Sequence, residues 1–198
     1  MARPKKADRD AMATVRIEDA FWKLLEEMSY SDITVLRISQ ESGTNRNSFY
    51  YHYKDIDDLA RSAFINNIDE KASRVLFSAL LPALGNTDIP VPILGPELLP
   101  HSKRIMLCAR SDSLFLNRLV KDLLKQVWFG ALEIDGSGLS SEEQLQIDFI
   151  FSGLVSVLGS REVESTPLIM ADLSQTEIGR ASINTMKRIS DNNKKSLQ

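Results

Sequence analysis

The chain has 198 residues, 43% of them hydrophobic and 26% charged, with a formal net charge of −3; that supports a real core in one domain or in a small domain joined to a larger one. No apolar run approaches the roughly 20 residues a membrane-spanning helix needs, and the opening MARPKKADRD lacks the apolar centre of a secretory signal. A single cysteine, Cys108, excludes an internal disulfide and fits a reducing cytoplasm, and with only two histidines a clustered His/Cys metal site is excluded too.

The charge is unevenly spread. Residues 1–54 carry nine Lys/Arg against eight Asp/Glu, and residues 55–198 carry 15 against 19. The clearest basic run is at the start, with Arg3, Lys5, Lys6 and Arg9. Such an arm can grip phosphate locally while an acidic body stays soluble.

Taken in chain order, Met12, Ala13, Ala20, Phe21, Leu24, Leu25 and Met28 recur at three- and four-residue steps and predict an amphipathic helix from Arg9 to Met28. Ser29 to Asp32 break it. Thr34 is a predicted N-cap for a short helix ending at Ser42, burying Val35 or Leu36 together with Ile38. Gly43 follows where a tight turn needs positive φ, and a third short helix starts at Thr44 or Asn45 and runs to about Tyr51. Asp55 caps the next helix, with Asp57 and Asp58 facing its dipole. That pattern continues from Ile56 to Leu84, and Pro82 bends or ends it. Residues 85–100, rich in proline, read as a loop. Helices are then expected from His101 to Arg110, from Ser113 to Glu133, and from Ser141, as a capping box with Gln144 or a simple cap beside Glu142 and Glu143, to about Leu158. A loop around Pro167 precedes a last helix, Ser174 to Ile189, and the polar tail DNNKKSLQ is expected to fray. No stretch alternates with a period of two, so the fold class is all-α.

One stretch stands out: SGTNRNSFYYHYKD, residues 42–55, places Tyr50, Tyr51 and Tyr53 around His52. Two short helices joined at a glycine after a longer one form a helix-turn-helix pattern, whose second helix can lie in the major groove. On that helix Asn45, Arg46, Asn47 and Ser48 point towards base edges, where Arg reads guanine and Asn reads adenine. Tyr50 lies one turn beyond Arg46. His52 and Lys54 leave the helix end beside the backbone and can donate to phosphates, while Phe49 and Tyr53 turn inward. Tyr51 is as compatible with packing as with contact. A catalytic role for His52 has no placed nucleophile beside it.

These residues resemble the tetracycline-repressor family of bacterial regulators over about residues 10–65. The likeness rests on Thr34-Val35, Ile38, Gly43, the run from Ser48 to Asp55, and Leu59. Two positions depart from it. The family often has glycine where Ser29 stands, so Ser29 would occupy a strained turn; it often has alanine where Ser39 stands, so a hydroxyl would enter a close helix contact. The resemblance implies a three-helix DNA-binding domain, residues 1–54, whose contacts include Thr34 and the arm residues Arg3, Lys5 and Lys6. It implies a larger helical domain, residues 55–198, that dimerises and holds a small-molecule effector. The long helix from Asp55 would be the lever between them, and the chain would act as a cytoplasmic homodimeric repressor on a near-palindromic double-stranded operator.

The second half has no motif of its own. Cys108, Arg110, Phe115, Asn117, Trp128, Phe129 and Phe149 are candidates for an effector cavity, since such sites mix apolar walls with few polar groups. Phe151, Leu154, Leu158, Ile178, Ile183 and Met186 are candidates for a four-helix dimer seam, though in a monomer the same residues would fill a core. No cofactor, metal, membrane or enzymatic role is expected. Two alternatives remain: a regulator gated by a protein partner, and an enzyme with a relic helix-turn-helix, against which the absence of a phosphate-loop motif counts.

Overall fold

The computed structural model describes residues 6–67, 99–160 and 172–196. These are all-helical, and among them no strand forms and no helix is long and apolar enough to cross a membrane. Beyond Asn67, the expected continuation to Leu84 and the loop of residues 85–98 lie outside the described residues, as do Pro167, Arg3 and Lys5.

Helix α1 (Lys6–Glu27) buries Ala13, Ile17, Ala20, Phe21, Leu24 and Leu25, a stripe at three- and four-residue spacing. Met12 shares that spacing but is exposed. A 3-10 turn at Tyr30–Asp32 follows. Ser29 before it has φ −59° and ψ 145°, an ordinary extended conformation, so the expected strain is absent. The Thr34 hydroxyl accepts from the Arg37 N–H at 3.3 Å and opens α2 (Val35–Ser42). Ile38 is fully buried, Val35 half-buried and Leu36 exposed.

Gly43 has φ +64°, and nothing lies within 4 Å of where a side chain would sit. The glycine is needed for its left-handed backbone, not for space. Helix α3 (Arg46–His52) begins with Asn45 accepting from the Ser48 N–H at 2.8 Å. Helix α4 (Ile56–Asn67) begins with Asp55 accepting from the Asp58 N–H at 2.8 Å.

Helix α5 (Leu99–Arg110) starts two residues earlier than the expected His101. Ser113 caps α6 (Leu114–Leu132). Helix α7 (Ser141–Gly159) is opened by a capping box of Ser140 with Glu143, one residue before the predicted Ser141 pair. The Glu143 carboxylate reaches back to the Ser140 N–H at 2.9 Å, and holding this contact keeps it ionised below the usual glutamate range.

Helix α8 (Glu177–Ser196) does not fray at Ile189 as expected. Asn193 is buried, accepts from the Asp135 N–H at 2.7 Å and donates to the Asp135 carbonyl at 2.9 Å. Ser190 donates to the Leu132 carbonyl at 2.6 Å. Two polar side chains thus tie the last turns to the end of α6.

A continuous cluster of buried residues runs from Ile17, Phe21, Ile38 and Phe49 through Leu59 and Cys108 to Leu116, Phe151, Met186 and Ile189. The three N-terminal helices and the C-terminal bundle share it. At the join, Lys103 pairs with Glu26 at 2.9 Å and Arg104 with Asp19 at 3.3 Å, the Arg104 guanidinium also lying 5.2 Å from the Trp22 ring centre.

Candidate nucleic-acid interface

Helix α3 is too short to be stable alone, so its orientation comes from what it buries. Phe49 is fully buried and Tyr53 nearly so, their ring centres 5.7 Å apart. Tyr53 is the residue at which the chain leaves the helix in an extended conformation, its N–H still donating to the Phe49 carbonyl at 2.9 Å. With these two turned inward, Arg46, Asn47, Tyr50 and Tyr51 are left exposed on the outer face.

A second fixture is Glu18 on α1. Its Oε1 accepts from the Tyr53 hydroxyl at 3.0 Å, from Asn66 Nδ2 at 2.7 Å and from the Ser62 hydroxyl at 3.4 Å. One carboxylate oxygen thereby joins α1, the end of α3 and α4. Burial, and then the Glu18 charge, push the Tyr53 phenol well above its ordinary range, so it stays a neutral donor. The sequence carried no sign of this junction, because its partners lie 35 to 48 residues apart.

The predicted contact residues fall into three groups. Arg46, Asn47, Tyr50 and Lys54 are exposed. Ser48 and His52 are half-buried, and the His52 ring stands edge-on to Tyr51 at 4.8 Å. Asn45 and Thr34 are exposed but also serve as caps. The two-point reading of adenine needs both the oxygen and the nitrogen of an asparagine amide. The Asn45 oxygen already accepts from the Ser48 N–H, which fixes its direction and leaves it one lone pair, whereas Asn47 is exposed with both ends of its amide uncommitted among the described residues. Thr34 likewise accepts through its oxygen and keeps its hydroxyl hydrogen to donate. Lys6 is the first residue of α1.

Tyr51 is the residue undervalued by sequence reasoning. It is 67% exposed, against 59% for Tyr50. The signal was present: two positions from buried Phe49 is about 200° around a helix, the opposite face.

The seven effector candidates do not converge. Cys108 is sealed in the core, and burial pushes its thiol up to about 12, leaving it protonated and unreactive at neutral pH. Phe115 stacks on Tyr30 with ring centres 6.3 Å apart, and Arg61 lies 5.3 Å from its centre. Arg110 and Asn117 share a cleft at the corner of α5 and α6. Phe129 packs on the central core. Trp128 and Phe149 line an apolar cavity of about 180 Å³ between α7 and α8, together with Leu154, Ile178, Ile183 and Met186 from the dimer candidates. Two sets of residues assigned different roles thus meet at one place.

Of the seam candidates, Phe151, Leu158 and Met186 are buried within the chain itself, Phe151 against Trp128 with ring centres 6.2 Å apart. They belong to its core. Leu154 and Ile183 are half-buried and Ile178 is 60% exposed, while Phe149 from the effector candidates is 72% exposed.

Among the described residues no group of three or more His, Cys, Asp or Glu could hold a metal ion. No protein-family model, curated protein or solved structure matches the chain.

Proposed function

We propose that the chain is a DNA-binding transcriptional regulator, a cytoplasmic repressor that acts as a homodimer on a near-palindromic operator and is released by a small-molecule effector. The observation that carries this reading is the outer face of α3. Arg46, Asn47, Tyr50 and Tyr51 stand exposed on a helix held from beneath by Phe49 and Tyr53, directly after the Gly43 turn. Arg46 is the residue for a guanine edge and Asn47 for an adenine edge, while Tyr50 and Tyr51 offer hydroxyls to phosphate or rings to thymine methyls. Lys54 and the hydroxyl of Thr34 supply backbone contacts that set register without reading sequence. Exposed Phe149 and Ile178 at the mouth of the α7–α8 cavity support a seam with a second copy, as a two-fold operator requires.

The test is fluorescence anisotropy with DNA from upstream of the chain's own gene, titrated beside a random duplex at two salt concentrations. The reading expects selective binding with two protomers per site. Arg46→Ala should cost about 1–3 kcal/mol on the selected site alone, and Lys54→Ala should weaken both duplexes alike and flatten the salt dependence. Equal weak binding to both duplexes by the unaltered protein would leave only phosphate attraction and end the proposal.

A further inference from the structure

At the corner between α5 and α6, a cleft of about 520 Å³ lies against the C-terminal half of α7. Small-molecule sites commonly measure about 300–1,000 Å³. Arg110 comes from the end of α5, Arg118 and Lys121 from the first turns of α6, and Ser152, Ser156 and Ser160 from a line four residues apart along α7. Among the described residues no aspartate or glutamate lines it. Two acids stand beside the lining residues without lining the cleft: Asp112, exposed in the corner between Arg110 and Leu114, and Asp148, 3.6 Å from Lys121 but bonded more closely to Lys125 at 2.6 Å. Arg118 is exposed and has no ion pair among the described residues.

A helix C-terminus normally presents bare carbonyls that repel anions, and α5 ends at this cleft. Here the carbonyls of Leu107, Cys108 and Ala109 have partners, that of Leu107 being the Ser111 N–H at 3.1 Å. The two hydrogens of Asn117 Nδ2 are shared among the carbonyls of Cys108, Ala109 and Ser111, at 2.9, 3.3 and 3.0 Å. Arg110 Nε donates to the Gly159 carbonyl at the end of α7, at 3.3 Å. With these carbonyls occupied, the charged and hydroxyl side chains that line the cleft among the described residues are three cations and three serines.

The same corner touches the N-terminal helices. Leu114 lines the cleft, and the next residue, Phe115, stacks on Tyr30. The Tyr30 hydroxyl donates to Asp57 in the first turn of α4. One turn of α6 therefore faces the cleft with one residue and the α1–α4 unit with its neighbour.

We propose that this cleft binds a small multivalent oxyanion, a polycarboxylate or a phosphate ester, and that occupancy shifts the first turn of α6 against Tyr30 and so changes DNA affinity. The second half rests on the reading of α3 as the DNA-contacting helix.

Calorimetric titration of the full chain with citrate and with pyrophosphate, at constant ionic strength, tests the first half and separates the two anion classes. The chain should bind at least one of them, and the R118Q/K121Q double variant should lose about tenfold or more in affinity with unchanged thermal unfolding in anion-free buffer. Lys54→Ala should bind it as the unaltered chain does. No binding of either anion, equal affinity in the double variant, or loss in Lys54→Ala would each overturn the site. For the second half, the bound anion should change affinity for the selected duplex at least about fivefold, and not in the double variant. An unchanged duplex affinity would overturn the coupling. Failure of the unaltered protein to prefer any duplex would instead remove the DNA reading, leaving the calorimetry to decide the cleft alone.

Discussion

The outer face of α3 and the mouth of the α7–α8 cavity are both exposed, yet they are built in opposite ways. Beneath α3 the supports that the helix itself carries are local: Asn45 caps it, Phe49 fills the core and Tyr53 ends it, all within one nine-residue stretch, and Glu18 of α1 adds one distant hold on Tyr53. The α7–α8 surface is apolar and assembled from helices separated in sequence, with Phe149 on one and Ile178 and Ile183 on the other. A short polar surface with a buried base declares its own orientation. An apolar surface does not, because the same side chains serve core, cavity or seam, and three of the six seam candidates prove to be core.

The largest effect that would sharpen this contrast is Phe49→Ala. Loss of a fully buried aromatic side chain should cost about 3–5 kcal/mol in denaturant unfolding. Phe149→Ala, at a position 72% exposed, should leave single-chain stability within about 0.5 kcal/mol but weaken self-association by roughly 2 kcal/mol in sedimentation equilibrium. If Phe149→Ala unfolds the chain or leaves association untouched, the surface is not a seam and the contrast fails. Gly43→Ala should cost about 1–2 kcal/mol, since an alanine pays the left-handed penalty at φ +64°; an unchanged melting temperature would count against that backbone conformation.

The smallest expected effect runs the other way. The Ser39 hydroxyl is buried with no hydrogen-bond partner among the described residues, as is the Trp128 indole N–H in the other half. Ser39→Ala should stabilise the chain by about 1 kcal/mol, measured as a raised midpoint in urea. A lowered midpoint would mean that the hydroxyl is satisfied after all.

How much could be read beforehand follows the same division. Thr34 and Asp55 were legible as caps, Gly43 as a left-handed turn, and the pair Phe49–Tyr53 as the inward face, because each depends on neighbours within four residues. The Ser140 box was missed by one position where serines stand side by side and either can cap. The end of α8 was not legible, since Asn193 is held by Asp135, 58 residues away. The junction made by Glu18 and the carbonyl contacts of Asn117 were not legible for a related reason: each gathers three partners whose convergence exists only once the helices have packed. The dual duty of Asn45 was hidden in another way, as one residue type satisfies both the cap and the base-reading pattern.

The alternation along α3 bears on evolvability. Positions 45, 49 and 53 hold the helix to the body, while 46, 47, 50 and 51 face outwards, and the two sets do not overlap. Substitutions at 46, 47 and 51 change what the surface presents without touching the mount, whereas Tyr50 stands edge-on to Phe49 with ring centres 5.4 Å apart. A lineage carrying this arrangement can change the chemistry of that face one residue at a time with each intermediate still folded, and a designer can randomise positions 46, 47 and 51 in one library without first repairing stability.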